Sequence, residues 1–205
     1  MSPVTPEELK KDRNLALIKE VLGKEYMSLV AKSLTMEEDL LTTADSAHPV
    51  QTTLKIKEND RGRIRTLKAQ GVGIVDSVFQ GLKEYYGTEY ESLGKINLSS
   101  FTVTANNLKA GPSPEGSTAP VEVVLEFQNA YNKCVPFREK SYSLSSSVVA
   151  ALISACEYYI NAELAFRKLR GLIDDSRLRS RGDLEQAYIS KIVNIVGVSS
   201  YEDLF

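Results

Sequence analysis

Apolar residues recur along this chain with two periods, and the points where the period changes mark out its elements. Leu15, Ile18, Val21 and Leu22, then Tyr26, Met27, Leu29, Val30 and Leu34, keep spacings of three and four interrupted at Gly23, which predicts two short helices or one broken helix. Thr5-Pro6-Glu7-Glu8 supplies the start: a capping residue, a proline at the first helical position and a glutamate three residues after the cap. Between Met36 and Pro49 the residues turn polar and small, as in a linker. At Val50 the period drops to two. Val50, Thr52, Leu54 and Ile56 alternate with Gln51, Thr53, Lys55 and Lys57, a strand with one wet face, and Glu58-Asn59-Asp60-Arg61-Gly62 reads as a hairpin turn into a second strand from Arg63 to Gln70. Helical spacing then returns in Val75, Val78, Phe79, Leu82 and Tyr86, with Gly87 placed as the C-terminal cap.

The same order comes round again. Ile96 to Ala105 is strand-like, Asn106 to Ala119 is a loop rich in Gly, Pro and Ser, Pro120 to Gln128 alternates Val121, Val123, Leu125 and Phe127 with other residues, and Lys133 to Tyr142 adds a third strand. Ser145-Ser146-Ser147 caps a long helix with Val148, Val149, Leu152, Ile153, Cys156, Tyr159, Ile160 and Leu164 on one broad face. Leu184 to Val198 is a further amphipathic helix carrying Leu184, Tyr188, Ile192 and Ile195 on one side. Strands first and a helix after, twice, predict an α+β fold. Its two halves stand in a pseudo-two-fold relation, with a mainly antiparallel sheet, helices on one face, and helical extensions at both ends. The expected organisation is a helical extension over 1–46, an α+β domain over 47–172 and a helical tail over 173–205.

Composition narrows the function. Of 205 residues 42 % are hydrophobic, enough for a core, and 25 basic against 27 acidic side chains give a net charge of −2, so nothing pulls the whole chain toward nucleic acid or an anionic membrane. No apolar run approaches a membrane span, and Met1-Ser2-Pro3-Val4-Thr5-Pro6-Glu7-Glu8 lacks the basic and apolar regions of a signal peptide; a cytoplasmic location without a membrane partner is expected. Cys134 and Cys156 have no metal-type spacing and read as core thiols. The single histidine, His48, sits in the polar linker, so no His-based catalytic set, metal site or cofactor is expected, although carboxylates alone can do acid–base work. Tyr85, Tyr86, Tyr90, Tyr158 and Tyr159 read as core and interface packing.

The candidate chemistry sits where a strand turns into a helix. Gly71-Val72-Gly73 precedes Ile74, Val75, Asp76 and Ser77, and glycines there let the backbone turn sharply and leave the first helical N–H groups open to an anion. The plain alternative is a tight turn that binds nothing.

These residues resemble the C-terminal regulatory domain of α-isopropylmalate and citramalate synthases. That family has a Gly-Asp-Gly-Pro-Val-Asp-Ala turn where this chain has Gly71-Val72-Gly73-Ile74-Val75-Asp76-Ser77, a match at four of the seven positions. The second half of the family carries a strand ending in Gly-Val-Ser and a helix of the Ile-Ile-Glu-Ala-Ser type, against Ser143-Leu144-Ser145-Ser146-Ser147-Val148-Val149-Ala150-Ala151-Leu152 here. The resemblance covers about Val50 to Leu169. It implies a homodimer that binds a branched-chain amino acid near the two helix N-termini and restrains a partner synthase, with Gly71, Val72, Gly73, Ile74, Val75, Asp76, Leu144, Ser145, Ser146 and Ser147 as ligand-binding positions. Helix N-termini suit the carboxylate, Asp76 the ammonium, and Ile74, Val75 and Leu144 the side chain. The family's acidic residue, proline and second glycine are Val72, Ile74 and Ser143 here. The family's catalytic barrel needs about 250 residues and is not expected in this chain.

A second class of function rests on Arg167, Lys168, Arg170, Arg177, Arg179 and Arg181, which gather in the segment 167–181 as a nucleic-acid face would. Asp174 and Asp175 interrupt the patch and Glu163 and Glu185 flank it, the pattern of a solvated surface. A purely structural interaction domain is the third possibility.

Overall fold

The computed structural model describes residues 4–38, 49–59, 62–105, 120–198 and 200–201. Its elements run α1 (Pro6–Leu22), β1 (Leu29–Glu37), β2 (Val50–Glu58), β3 (Ile64–Gly71), α2 (Gly73–Tyr86), α3 (Glu91–Gly94), β4 (Asn97–Ala105), β5 (Val121–Gln128), β6 (Cys134–Ser141), α4 (Leu144–Leu178) and α5 (Gly182–Val196). The chain is α+β with helices before and after the strands, and its strands divide evenly between two antiparallel sheets ordered β1-β2-β3 and β4-β5-β6. His48 and most of the linker, residues 60–61 of the hairpin turn and the whole Gly/Pro/Ser-rich loop over 106–119 lie outside the described residues.

α1 begins as the sequence reading expects. The Thr5 hydroxyl accepts from the Glu8 N–H while the Glu8 carboxylate takes the Thr5 N–H, a complete capping box with Pro6 at the first helical position. The same Glu8 is buried and accepts from Arg138 Nε on β6 at 2.7 Å, and Arg138 also pairs with Glu122 at 3.2 Å.

Residues 29–37 correct the sequence reading, because they form a strand where helical spacing was expected. β1 pairs with β2 from Leu29 opposite Glu58 to Glu37 opposite Gln51. Its approach is gripped by α4: Glu157 accepts the Tyr26 hydroxyl at 2.7 Å and the Leu29 N–H at 2.8 Å, and fully buried Asn161, one turn on, accepts the Met27 N–H at 2.8 Å and donates to the Met27 carbonyl at 2.7 Å. Groups tied this way have no use for helical partners, so tertiary bonding overrides an ambiguous local pattern. The boundary expected at 46/47 thus separates two strands of one sheet, and that at 172/173 falls inside α4.

The two sheets repeat one plan. Each has its bulge at the same place, between Ala31 and Ser33 in β1 and between Leu98 and Ser100 in β4. Leu54 faces Leu67 across the first sheet as Leu125 faces Phe137 across the second. The closing bond of the hairpin, Glu58 N–H to the Arg63 carbonyl, returns as Asn129 N–H to the Lys133 carbonyl. Each sheet then feeds a helix. The units meet in one core, where a string of rings passes from Phe79 on α2 through Phe127 and Phe137 to Tyr158 on α4, with successive centroids 5.0, 5.9 and 5.7 Å apart.

α4 runs for 35 residues and corrects the expectation that no run approaches a membrane span, since it is long and apolar enough to cross one by length and composition; 67 % of that apolar window is buried inside the fold, as suits a core helix. Ile18 and Leu22 of α1 and Ile192 and Ile195 of α5 join the same core. Cys156 is buried among them and burial pushes its thiol pKa well up, whereas Cys134 corrects its reading as a core thiol: it is exposed at the first position of β6, beside a polar turn.

Candidate functional site

The turn into α2 is built on two glycines for two different reasons. A Cβ on Gly71 would lie 2.5 Å from both the Ser77 backbone nitrogen and Asp76 Oδ2, so the end of β3 and the first turn of α2 approach too closely for any side chain. Gly73 has open space around a Cβ but holds φ at +87°, a conformation that costs other residues about 1–2 kcal/mol. Val72 between them is 70 % exposed. Its N–H donates to Asp76 Oδ2 at 2.9 Å, and Gln80 Nε2 reaches Asp76 Oδ1 at 3.5 Å, so the carboxylate closes the turn from inside the helix. Ile74 and Val75 are half-buried against the core. Ser77 is fully buried and its hydroxyl donates to the Gly73 carbonyl at 2.8 Å.

The turn into α4 reaches a similar shape with hydroxyls. Ser141 stands where Gly71 stands in the first unit, at the strand's last position, opposite Val121 as Gly71 is opposite Val50. Its hydroxyl donates to the Ser143 carbonyl at 2.8 Å and accepts the Ser143 N–H at 3.2 Å. Ser143, not the Ser145 to Ser147 run, is the cap: its hydroxyl accepts from the Ser146 N–H at 3.4 Å and lies 3.0 Å from the Ser145 hydroxyl. Ser147 is buried like Ser77, but its hydroxyl works across elements, donating to the Val121 carbonyl at 3.2 Å and lying 2.9 Å from Ser141 Oγ. Tyr142 and Leu144 flank the turn at 78 % and 44 % exposure, the counterparts of Val72 and Ile74.

Each of the ten expected residues therefore lies in one of two matching turns, Gly71 to Asp76 in the first and Leu144 to Ser147 in the second. The sequence reading named Ser77 and Ser143 within the two motifs but gave neither a role, and it missed Ser141, although a signal was present: Gly73 to Ser77 and Ser143 to Ser147 share one spacing. Two surface clefts, of about 820 and 470 Å³, contain none of these residues.

The basic segment 167–181 is largely paired within the chain. Arg167 binds Glu163 and the Glu89 carbonyl, Lys168 meets Glu25 at 3.0 Å, Arg177 meets Glu185 at 2.7 Å, Arg179 meets Asp175 at 3.1 Å and Arg181 meets Asp183 at 3.2 Å. Cations held in that way are poorly placed to release counterions from a phosphate backbone. Among the described residues, no group of three or more His, Cys, Asp or Glu side chains is arranged to hold a metal ion. No family model matches this chain, and no curated protein is significantly similar to it.

Proposed function

We propose that this protein is a non-catalytic, ligand-responsive pairing module, similar in role to the feedback domain of isopropylmalate and citramalate synthases, acting as a free-standing sensor or as an accessory subunit. The observation that carries the reading is the duplication of the strand-to-helix turn with apolar side chains left in solvent at both, Val72 in one and Tyr142 and Leu144 in the other. Helix N-termini offer partial positive charge to a carboxylate, and exposed apolar residues beside them offer a surface to an aliphatic side chain. A branched-chain amino acid has that combination. Two copies of the chain, each presenting two such turns, enclose it better than one.

The test is a thermal-shift screen against the twenty amino acids and common 2-keto and 2-hydroxy acids, with light scattering on the same samples. A ligand at about 100 times its Kd stabilises the folded state by about 2.7 kcal/mol. The expected result is a dimer whose Tm rises with leucine, isoleucine or valine and with few others. A flat screen overturns the ligand, and a monomer at micromolar concentration overturns the pairing.

A further inference from the structure

The larger cleft lies away from both helix turns, between α1, α3, α4, the β5–β6 turn and the end of α5. Its volume of about 820 Å³ falls in the range of small-molecule sites, about 300–1,000 Å³. The floor is apolar and aromatic: Val135, Tyr158, Tyr159, Ala162, Phe166 and Ile195. Tyr158 is buried there, and its hydroxyl oxygen accepts from Asn14 Nδ2 at 3.5 Å.

The rim carries an excess of positive charge. Two of its acids are already neutralised, since Glu91 pairs with Lys95 at 2.9 Å, and Glu163 is held by Arg167 and by the Ser92 N–H at 2.8 Å. Of the remaining charged lining, Lys10 and Lys133 outnumber Glu7, and Lys11 stands 4.0 Å from Asp12. Lys10 and Lys133 converge at Gly197, where a Cβ would sit 3.6 Å from Lys10 Nζ and 3.9 Å from Lys133 Cγ. Neither lysine has a carboxylate within ion-pair distance among the described residues. The C-terminal end of α5 supplies about half a negative charge to that corner, less than the full charge of the Lys10 ammonium beside it.

We propose that this cleft binds an amphipathic carboxylate, an anionic head on an aliphatic or aromatic body. The head sits between Lys10 and Lys133 beside the end of α5, and the body lies on the floor formed by Phe166, Tyr158 and Ile195. Charge complementarity selects an anion over a cation, and the aromatic floor selects an apolar body over a simple inorganic ion. The site is separate from the two helix turns, so its occupancy does not depend on the branched-chain reading.

Isothermal titration with sodium decanoate, below its micellar range, tests the proposal, with decylamine and decanol as cationic and neutral bodies of the same length. One-to-one saturable binding of decanoate is expected, with decylamine at least tenfold weaker and decanol weaker than decanoate. The double variant Lys10→Glu/Lys133→Glu, two surface changes expected to leave Tm within a few degrees, should weaken decanoate at least tenfold. Phe166→Ala should weaken decanoate and decanol alike. Absence of saturable decanoate binding, equal affinity for decylamine, or undiminished decanoate affinity in the double variant would each overturn the proposal. Self-association through this face in place of ligand uptake would do so as well.

Discussion

The two strand-to-helix turns solve one geometric problem with different chemistry. In the first, the helix start presses so closely on the strand end that only glycine fits at position 71, and a carboxylate one turn into the helix closes the loop by taking the Val72 N–H. In the second, the equivalent strand end is Ser141, which has room for a side chain and uses it to bind both backbone groups of Ser143. A buried serine hydroxyl, Ser77 or Ser147, sits beneath each. Strand register, bulge and hairpin closure are shared, so the plan is set by pairing and packing, while the residues at the turn decide how much of it is local. The first turn is self-contained. The second is stitched to a neighbouring strand.

That difference makes the largest prediction. Gly71→Val places a branched side chain against the backbone of Ser77 and should cost about 3 kcal/mol or more, because backbone rather than a flexible side chain must move. Ser141→Val, at the matching position, has Cβ space already and loses only hydroxyl bonds, so about 1–2 kcal/mol is expected. Urea unfolding of the two variants checks the contrast, and equal losses would mean that the turns are not built differently.

Next in size is the pair of buried serines. Ser147→Ala strips the Val121 carbonyl and Ser141 of a partner on another element and should cost about 2 kcal/mol. Ser77→Ala removes a bond made within its own helix turn, to the Gly73 carbonyl, and about 1 kcal/mol is expected. Hydrogen exchange sharpens the reading: the Ser147 change should loosen β5 amides near Val121, whereas the Ser77 change should leave β2 untouched.

Much of this plan is legible in the sequence. Strict alternation gives β2 and β5, and the capping box gives the start of α1. Gly71 and Gly73 stand out because glycine is chemically distinctive, whereas Ser141 and Ser143 do the same work with a residue common in any loop. β1 was not legible, since Leu29, Val30 and Leu34 fit either period and the decision is made by Glu157 and Asn161, more than a hundred residues away. The cleft under Lys10 and Lys133 was equally hidden, because five separated segments build it.

The units also differ in what covers them, and pH reads that difference. Arg138 on β6 is tied to α1 through Glu8, while Lys68, its counterpart on β3, lines the open cleft of about 470 Å³. Burial pushes the Glu8 carboxyl up, but the Arg138 bond, the Thr5 N–H and the charges of Arg138 and Lys11 together outweigh it and hold the pKa below its usual value. A depressed carboxyl stabilises the fold above its unfolded pKa of about 4.3, and the contribution disappears as pH falls through the lower folded value. Glu8→Gln should therefore cost about 1.5 kcal/mol at neutral pH, the low end for a charged hydrogen bond because Arg138 is partly exposed. The gap from wild type should close below about pH 4. A gap of constant size across that range would remove the ion pair from the account of how α1 is held.

The smallest effects belong to the caps themselves. Ser143→Ala removes the side chain that takes the Ser146 N–H and should cost about 1 kcal/mol. Asp76→Ala removes both the bond to Val72 and a negative charge in the first turn of α2, again about 1 kcal/mol. The two differ in what a ligand does to them. If a carboxylate docks on the first helix turn, Asp76→Ala weakens its ammonium contact and the thermal shift with leucine shrinks, while Ser143→Asn, which keeps a cap, leaves the shift in place. If both caps change stability and neither changes the shift, the turns are structural devices only, and the ligand, where one exists, lies in the cleft beside α5.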